Sequence, residues 1–315
     1  MSYNVENLFD TYNDTLTNDD EFTPRGTKYW SQKRYVDKLL FLSKVLKEIG
    51  IGKKKEFELP AIIGLIEVEN RRVLEDLTQK TLLADGDYGI VHQDSPDPRG
   101  IDVALLYRKS NYTPLNEQFL PVKFGNRRPV TRDILYSSGI LAGKDTVHFF
   151  VCHFPSMIGG EAGSEWKREA AATVLKRQVD SLLRRNSRAA IVIMGDLNGT
   201  ADRPAQTKVL GTQTSDAKKI NDTCLYNCGY YLLNQNRGSY KYQSNWQTID
   251  HIIVSGSLLN KHNRLRIDKH SQIYSADFIM EEDKRYFGFK PFRTYAGMKY
   301  LGGYSDHLPI YIDIK

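Results

Sequence analysis

Cysteine is scarce in this sequence. Its 315 residues include three cysteines, Cys152, Cys224 and Cys228. A small, odd number argues against the disulfide framework of a compact secreted domain. Cys224 and Cys228 have the spacing of one half of a zinc site, but no second ligand pair accompanies them. The sequence therefore predicts neither a disulfide scaffold nor a structural zinc site.

Long apolar runs and targeting signals are missing too. No segment approaches the roughly 18 apolar residues that a membrane-spanning helix needs, and no signal peptide is present. We therefore expect no transmembrane segment, and a cytoplasmic protein by default, or an exported one if an upstream signal was trimmed. The second alternative depends on Asn4, which is expected to end a core strand although only three residues precede it. Strands usually run about five or six residues, so we expect the natural chain to extend upstream.

Low-complexity linkers are absent, and the charge balance leans only slightly to one sign. Since no shift in composition divides the chain, we expect one domain over residues 1–315. Hydrophobic residues make up 40% and charged residues 26%, which excludes a disordered chain. Lys and Arg total 44 against 38 Asp and Glu, a net charge of +6. This excess fits a phosphate-bearing substrate but does not identify one.

What the sequence does contain is a repeated unit of amphipathic helix, buried strand and terminal acid. The first unit has one apolar helix face, formed by Tyr35, Leu39, Leu42, Leu46 and Ile49. This spacing predicts a helix that stops at Gly50. The apolar run 61–66 follows it and ends at Glu67.

The second unit has the same order. A helix is predicted to begin near Ser164 and to end at Arg184 and Arg185, and the apolar run 189–194 then leads to Asp196. Further strands are predicted at 102–108, 146–154, 249–255 and 308–314, and strands this apolar are covered on both faces. Because strands outnumber helices, we expect an α/β fold in which two sheets pack on each other with helices outside. The segment from about 259 to 303 is predicted to be rich in loops.

Polar side chains stand at the ends of these predicted strands. They are Asn4, Glu67, His153, Asp196 and Asn198 after strands, and Asp250 and Asp306–His307 before them. Strand ends hold side chains rigidly around a shared crevice. Several acids in one crevice repel each other unless a cation joins them, and oxygen-rich sites favour Mg²⁺, Mn²⁺ or Ca²⁺. We therefore expect a divalent cation, Mg²⁺ or Mn²⁺ first and Ca²⁺ as a further alternative.

Five motifs occur in a fixed order along the chain. They are Tyr3-Asn4-Val5-Glu6-Asn7-Leu8-Phe9-Asp10, Gly64-Leu65-Ile66-Glu67, Gly195-Asp196-Leu197-Asn198, Thr248-Ile249-Asp250-His251 and Ser305-Asp306-His307-Leu308-Pro309. Together they resemble the endonuclease/exonuclease/phosphatase superfamily, which includes pancreatic deoxyribonuclease, exonuclease III-type repair enzymes, sphingomyelinases and inositol polyphosphate 5-phosphatases. The resemblance implies a four-layered α/β/β/α sandwich with two mixed sheets.

The resemblance also implies roles for individual residues. Glu67, Asn4 and Asp306 match the metal site of the family. Asp196 matches the aspartate that orients or activates the attacking water, and Asn198 matches the asparagine that holds a phosphate oxygen.

The remaining matches concern proton transfer and substrate phosphate. His307 matches a histidine at the scissile phosphate, and Asp250 matches its carboxylate partner. His153 resembles the second histidine of deoxyribonuclease-like and phosphatase members. Arg132 is similar to an arginine that contacts substrate phosphate, and Arg293, within the basic and aromatic stretch 284–295, is a second candidate for that contact. The sequence leaves two interpretations of Glu6, a residue that supports the site and a residue of a turn.

These observations predict a metal-dependent phosphodiester hydrolase that acts by direct attack of water. We expect a nuclease, a monomer that binds DNA or RNA. The alternative is a phosphatase or phosphodiesterase for a small or lipid phosphate substrate, of the phosphoinositide or sphingomyelin type, because the motifs do not cover the loops that select substrate. A binuclear metallophosphoesterase would need a Gly-Asn-His motif that is absent here. A phosphate-binding module would not need this whole set of residues.

Overall fold

Two large β-sheets form the centre of the structure, a computed structural model that describes residues 1–50, 58–125, 131–157 and 159–315. The helices in these ranges are α1 (Gln32–Gly50), α2 (Arg71–Gln79), α3 (Glu161–Arg185) and α4 (Gly256–Leu259). Single 3₁₀ turns occur at Asp20–Phe22, Ala84–Gly86, Tyr230–Leu232 and Asp277–Ile279, and a π-helical turn at Ala205–Leu210. No helix among the described residues is both long and apolar enough to cross a membrane.

The strands of the described residues fall into the two sheets and three small hairpins. In chain order they are β1 (Ser2–Leu8), β2 (Ile62–Val68), β3 (Tyr88–Val91), β4 (Asp102–Arg108), β5 (Tyr112–Leu120), β6 (Ile134–Leu141), β7 (Asp145–His153), β8 (Ala190–Asp196), β9 (Gln213–Thr214), β10 (Leu225–Asn227), β11 (Tyr240–Tyr242), β12 (Asn245–Gln247), β13 (Asp250–Ser255), β14 (Gln272–Ile273), β15 (Met280–Glu282), β16 (Phe289–Pro291), β17 (Tyr295–Ala296), β18 (Lys299–Tyr300) and β19 (Ile310–Tyr311). Sheet 1 has the order β14-β19-β1-β2-β4-β3, and sheet 2 has the order β5-β6-β7-β8-β13-β10-β9. The hairpins are β11–β12, β15–β16 and β17–β18.

Three apolar cores separate four layers. One core lies between α1, α2 and the outer face of sheet 1, where Leu42 and Leu46 pack with Leu65. The second lies between the sheets, where Ile66 packs with Met194, and the third joins sheet 2 to α3. Both faces of each sheet border a core because successive side chains of a strand point to opposite faces. In a continuous apolar run, both faces of the strand are therefore apolar and both must be covered. The expected α/β/β/α sandwich is confirmed.

The predicted elements match the observed ones where the sequence pattern is strong. The predicted strand 102–108 is β4, and the predictions 146–154 and 249–255 each differ from β7 and β13 by one residue at their ends. The prediction 308–314 is wrong in extent, because only Ile310–Tyr311 forms a strand. The apolar side chains of 308–314 pack against the core, but apolar character alone does not make a strand. Among the described residues, only one pair, Ser2 and Ile310, joins this segment to β1. Helix α1 includes Gly50, which we expected just beyond its end.

Strand direction places the two helix–strand–acid units at one edge of the sandwich. Strand β2 runs parallel to β1, and β8 runs parallel to β7. Side chains from the two sheets meet at this edge, because Asn4 Nδ2 donates a hydrogen bond to Asp196 Oδ2 at 3.1 Å. This edge holds the candidate site. The expectation that Asn4 ends its strand is wrong, since β1 continues through the irregular backbone of Glu6 and Asn7 to Leu8.

Candidate active site

Neighbouring strands of sheet 2 supply three of the predicted residues. His153 and Asp250 are the register partners of Asp196 on its two sides, across β7, β8 and β13. All three are at least nine-tenths buried. Residues that pair directly across strands point to the same face, so the end of sheet 2 presents an imidazole and two carboxylates together.

Backbone irregularities shape the part of the site that comes from sheet 1. The pairing of β2 with β4 shifts register between Ile66 and Val68, and Glu67 has a φ of 65°. Asn198, Glu6 and Asn7 also have positive φ values, of 49°, 52° and 55°. A residue other than glycine in the left-handed region is strained and persists where its surroundings impose it. A bulge of this kind turns a side chain out of the normal alternation, and here it directs Glu67 toward sheet 2.

His307 and Asp250 form a close pair. His307 Nδ1 lies 2.7 Å from Asp250 Oδ2, so Nδ1 carries the proton and the carboxylate accepts it. His307 Nε2 is 3.8 Å from Asp196 Oδ2, and the ring of Tyr240 lies over the imidazole with centroids 4.9 Å apart. Burial opposes protonation of His307, but Asp250 and Asp196 outweigh it and raise its pKa well above the usual value.

His153 lies on the other side of Asp196 in a different environment. His153 Nε2 is 3.8 Å from Asp196 Oδ2 and 3.9 Å from Glu67 Oε1. Its buried Nδ1 has no hydrogen-bond partner among the described residues. Burial, followed by the positive charges of Arg132 and Arg99, lowers the pKa of His153 well below its usual value. This histidine is therefore neutral around pH 7.

The carboxylates and the amide of Asn4 form an oxygen-rich cluster. Asn4 Nδ2 donates to Glu67 Oε1 at 3.2 Å as well as to Asp196. Burial, and then the negative charge of Asp250, raises the pKa of Asp196 to about 7. One buried oxygen of Asp250 has no hydrogen-bond partner among the described residues. This set of oxygen atoms fits a divalent cation, since carboxylate and amide oxygens are the ligands that Mg²⁺ and Mn²⁺ prefer. A cation would also relieve the repulsion between the neighbouring carboxylates.

Asn198 closes the cluster on the side of sheet 2. Its backbone N–H donates to Asp196 Oδ1 at 2.8 Å, and its amide donates to Phe154 O at 2.9 Å. The first bond fixes the Asp196 carboxylate. The second uses one amide hydrogen, and the other hydrogen remains for an anionic ligand.

Asp306 and Arg293 contact each other in this structure. Arg293 Nη2 lies 2.8 Å from Asp306 Oδ2, and Arg293 Nε lies 3.6 Å from Glu6 Oε1. The structure therefore brings together the residue predicted to bind metal and the residue predicted to bind phosphate, and each is the other's ion-pair partner. Metal binding by Asp306 and phosphate binding by Arg293 stay predictions. For either one, the ion pair between the two residues would have to open, or the residue would have to bind its ligand while it keeps the ion pair.

Glu6 and Lys38 anchor the segment that carries Arg293 and Asp306. Glu6 accepts hydrogen bonds from the backbone N–H groups of Thr294 and Tyr295, at 2.6 Å and 3.2 Å. The fully buried Lys38 donates to Thr294 Oγ1 at 2.5 Å and to the carbonyl oxygen of Tyr304. Burial raises the pKa of Glu6 to about 7 and lowers that of Lys38 to about 8.

Lys38 is a residue that the sequence reasoning missed. A signal was present, because Lys38 lies on the apolar face of α1, three residues after Tyr35 and one before Leu39. A lysine on a buried helix face needs internal partners, and the segment before Asp306 supplies them.

Arg132 lies behind the site. Its guanidinium pairs with Asp97 at 2.8 Å and donates to Phe154 O at 3.2 Å, and the residue is 6% exposed. It acts on His153 through charge, as the lowered pKa shows. Its predicted contact with substrate phosphate stays a prediction.

His251 and Cys152 point away from the cluster. His251 Nε2 donates to Gly199 O at 2.9 Å, and its Nδ1 accepts from the Asn227 amide at 3.0 Å. Cys152 is buried in the core between sheet 2 and α3. Each is adjacent in sequence to a site residue, and alternation along the strand directs its side chain to the opposite face.

Comparisons with known proteins give one family and several related structures. The Endonuclease/Exonuclease/phosphatase family matches the chain over residues 1–315. The mannosyl-6-phosphatase of Bacteroides thetaiotaomicron is 14% identical with a TM-score of 0.57, over 100% of this chain and 98% of that one. A humanised TDP2 from D. rerio is 15% identical with a TM-score of 0.55, over 100% and 96%. The human Nocturnin catalytic domain, solved with a bound sulfate, is 16% identical with a TM-score of 0.55, over 99% and 92%.

At these identities the solved structures show a shared fold. No curated protein matches the sequence. The match that covers the whole chain decides the family, and the five strand-end motifs lie where that fold brings them together. The chain belongs to the endonuclease/exonuclease/phosphatase family.

Proposed function

We propose that this protein, as one catalytic domain over residues 1–315, is a divalent-metal-dependent phosphoester hydrolase. The observation that carries the proposal is the His307–Asp250 pair, whose free Nε2 faces Asp196 at 3.8 Å. A buried carboxylate between two imidazoles gives acid, base and acceptor groups around one small space. This arrangement suits the attack of water on a phosphoester.

Each residue has a distinct part in the proposed reaction. Asp196 accepts a hydrogen bond from the attacking water and orients it. The attacking water gives its proton to Asp196, and His307, charged through Asp250, contacts the phosphoryl oxygens and donates its Nε2 proton to the oxygen of the departing alcohol. Asn198 donates its remaining amide hydrogen to a phosphate oxygen. A cation held by Glu67, Asn4 and Asp306 would neutralise the charge that develops on the phosphoryl group.

A generic substrate tests this proposal directly. We expect hydrolysis of bis(p-nitrophenyl) phosphate with Mg²⁺ or Mn²⁺, and its loss with EDTA. Asp196→Asn should reduce turnover by about 10²–10⁴-fold, whereas the matched control Asp85→Asn, at an exposed position, should not. Equal turnover with and without chelator, in protein freed of metal, would refute the metal requirement.

Nuclease activity is the finer prediction, and one surface favours it. The tip of the β15–β16 hairpin exposes Phe287 by 84% and Phe289 by 62%, beside Lys284 and Arg285. Aromatic rings and cations together can stack bases and contact phosphates. A solved TDP2 from D. rerio is a complex with single-strand DNA product, which gives this candidate a structural precedent.

The other basic residues of that stretch give the nuclease less support. Lys290 lies 3.5 Å from Glu281, and Arg293 is held by Asp306 and Glu6. Their charges are therefore partly offset within the protein. If DNA is the substrate, log affinity of Asp196→Asn protein should fall with log salt by about 0.7–0.9 for each phosphate contacted. Neutralising Lys284 and Arg285 should then reduce the slope by about one to two, and a slope near zero would leave the small-substrate alternative.

A further inference from the structure

Three polar side chains lie fully buried behind the loop that carries Asn198. They are Gln206, Asn227 and His251, and they come from the π-helical turn, from β10 and from β13. Buried polar groups cost free energy unless each of them has a hydrogen-bond partner. When every partner is present, a buried polar cluster fixes one arrangement of the groups around it.

The three side chains satisfy one another in a single arrangement. Asn227 Nδ2 donates hydrogen bonds to Gln206 Oε1 at 2.8 Å and to His251 Nδ1 at 3.0 Å. Asn227 Oδ1 accepts one from the N–H of Gly229 at 2.8 Å. His251 then carries its proton at Nε2, which donates to the carbonyl oxygen of Gly199 at 2.9 Å. The orientation of each side chain is therefore fixed by its neighbours.

Gln206 connects this cluster to the loop after Asn198. Its Nε2 donates to two successive carbonyl oxygens of the loop, to Gly199 O at 2.9 Å and to Thr200 O at 3.1 Å. Its own carbonyl oxygen accepts from the N–H and the hydroxyl of Thr212, at 3.0 Å and 3.1 Å. Both the backbone and the side chain of Gln206 are thus held, and π-helical turns such as the one that contains it occur frequently at functional sites.

Asn198 lies between two fixed points of the backbone. On one side its N–H donates to Asp196 Oδ1 at 2.8 Å. On the other side the Gly199 carbonyl accepts from both Gln206 and His251. The φ of Asn198 is 49°, in the left-handed region, and such a conformation persists where the surroundings impose it. Release of the Gly199 end would let this backbone relax and would move the Asn198 amide.

We infer that Gln206, held by Asn227 and His251, is a positioning residue that keeps the Asn198 amide directed at the phosphate oxygen. The inference rests on the proposed function, in which Asn198 donates to that oxygen. Gln206 lies behind the site and acts through the carbonyl groups of Gly199 and Thr200. A displacement of about 1 Å at a reacting group costs about 10²-fold in rate, so a buried amide has a kinetic effect there.

A double-mutant cycle tests the inference. Gln206→Met keeps the length of the side chain and removes its amide, and we expect kcat for bis(p-nitrophenyl) phosphate with Mg²⁺ to fall about 10-fold to 100-fold. In the Asn198→Ala background the same change should lower kcat by less than about twofold, because residues that act as a unit are not additive. If Gln206 merely stabilised the fold, the fold loss in kcat would be the same in both backgrounds.

A destabilising control separates positioning from stability. Leu225 lies on β10 with Asn227 and packs in the core between sheet 2 and α3. Leu225→Ala should lower the denaturation midpoint and leave kcat of the folded protein unchanged. An unchanged kcat in Gln206→Met, or equal fold losses in the two backgrounds, would overturn the inference while hydrolysis by the unaltered protein upholds the proposed function. No metal-dependent hydrolysis by the unaltered protein would refute both.

A second measurement uses the unaltered protein and so does not depend on the folding of a variant. We expect the side-chain amide NMR signals of Gln206 to shift when inorganic phosphate and Mg²⁺ are added, because a ligand on Asn198 changes the hydrogen bonds of the next carbonyl group. The exposed Gln213 on β9 should keep its signals. Gln206 signals that stay in place while those of the His307 imidazole report saturation would overturn the inference.

Discussion

His307 and His153 lie on opposite sides of Asp196, and the two sides differ. Each Nε2 is 3.8 Å from Asp196 Oδ2, and both histidines are buried to a similar extent. The pKa of His307 is raised well above the usual value and that of His153 is lowered well below it. Burial acts in the same direction on both histidines, so residue type and burial alone do not explain why their pKa values differ.

Charged neighbours decide the difference. His307 Nδ1 donates to Asp250 Oδ2 at 2.7 Å, and that carboxylate outweighs the cost of burying the imidazolium. His153 has no such acceptor among the described residues, and Arg132 and Arg99 add positive charge nearby. An opposite charge within a few ångströms stabilises the charged form of a histidine, and a like charge disfavours it. One side of the site is therefore cationic and the other neutral.

The largest effect is expected on the cationic side. Asp250→Asn removes the charge that keeps His307 protonated and oriented, so turnover should fall about 10²–10⁴-fold. The NMR titration of the His307 imidazole should move to lower pH in the same variant, because only Asp196 and Asp306 then oppose the effect of burial. Steady-state kinetics and the titration together check both effects.

A double variant tests whether the pair acts as a unit. His307→Ala with Asp250→Asn should be little worse than either change alone, because residues that act together are not additive. If the fold losses in turnover of the two single variants multiply in the double variant, the two residues act separately. Asp250 would then not explain the difference between His307 and His153.

A smaller loss is expected on the neutral side. His153→Gln keeps a hydrogen-bonding group of similar size but removes the imidazole, and we expect kcat to fall by about 10²-fold, as for a lost donor at a developing anion. The pH profile of kcat should keep its shape, since His153 is neutral throughout the neutral range. A changed profile would show that His153 titrates during the reaction.

Glu67 connects the neutral side to the proposed metal site, since its Oε1 lies 3.9 Å from His153 Nε2. Glu67→Gln keeps the shape of the side chain and removes its charge, so the half-saturating Mg²⁺ concentration should rise about 10-fold to 100-fold. Titration of Mg²⁺ against activity, with circular dichroism to confirm folding, measures this. An unchanged metal requirement and unchanged turnover would exclude Glu67 as a ligand.

The smallest effect concerns a third buried histidine, His251. It accepts a hydrogen bond at Nδ1 from the Asn227 amide, and burial lowers its pKa to about 4. An unfolded histidine has a pKa near 6.5, so the unfolded state binds the proton first. The free energy of unfolding should therefore fall as pH decreases from about 6.5 to about 4, by about 2–3 kcal/mol in total.

Denaturant titrations across this pH range check the His251 contribution. The pH slope should be shallower in His251→Gln, and the exposed control His262→Gln should retain the parent slope. An equal slope in His251→Gln and in the parent would show that another group causes the pH dependence.

Local sequence patterns were sufficient for the fold and for most of the strand-end set. Periodicity and alternation are local properties, and they correctly placed α1, β4, β8 and the acids that follow the strands. Strand β2 shows the limit, since the bulge at Glu67 appears only in the pairing with β4. Strands β5 and β6 and helix α2 were not predicted, because their patterns are weaker.

The sequence by itself determined which residues have the chemistry for the site and that strand ends would carry them. The tertiary structure decided which of these residues touch, which histidine is charged, and that Arg293 faces Asp306. It also placed Lys38 under the segment before Asp306 and joined Glu6 to Thr294, 288 residues apart. The physical reason is that pKa values and ion pairs depend on charges within a few ångströms, and these charges come from distant parts of the chain that only folding brings together.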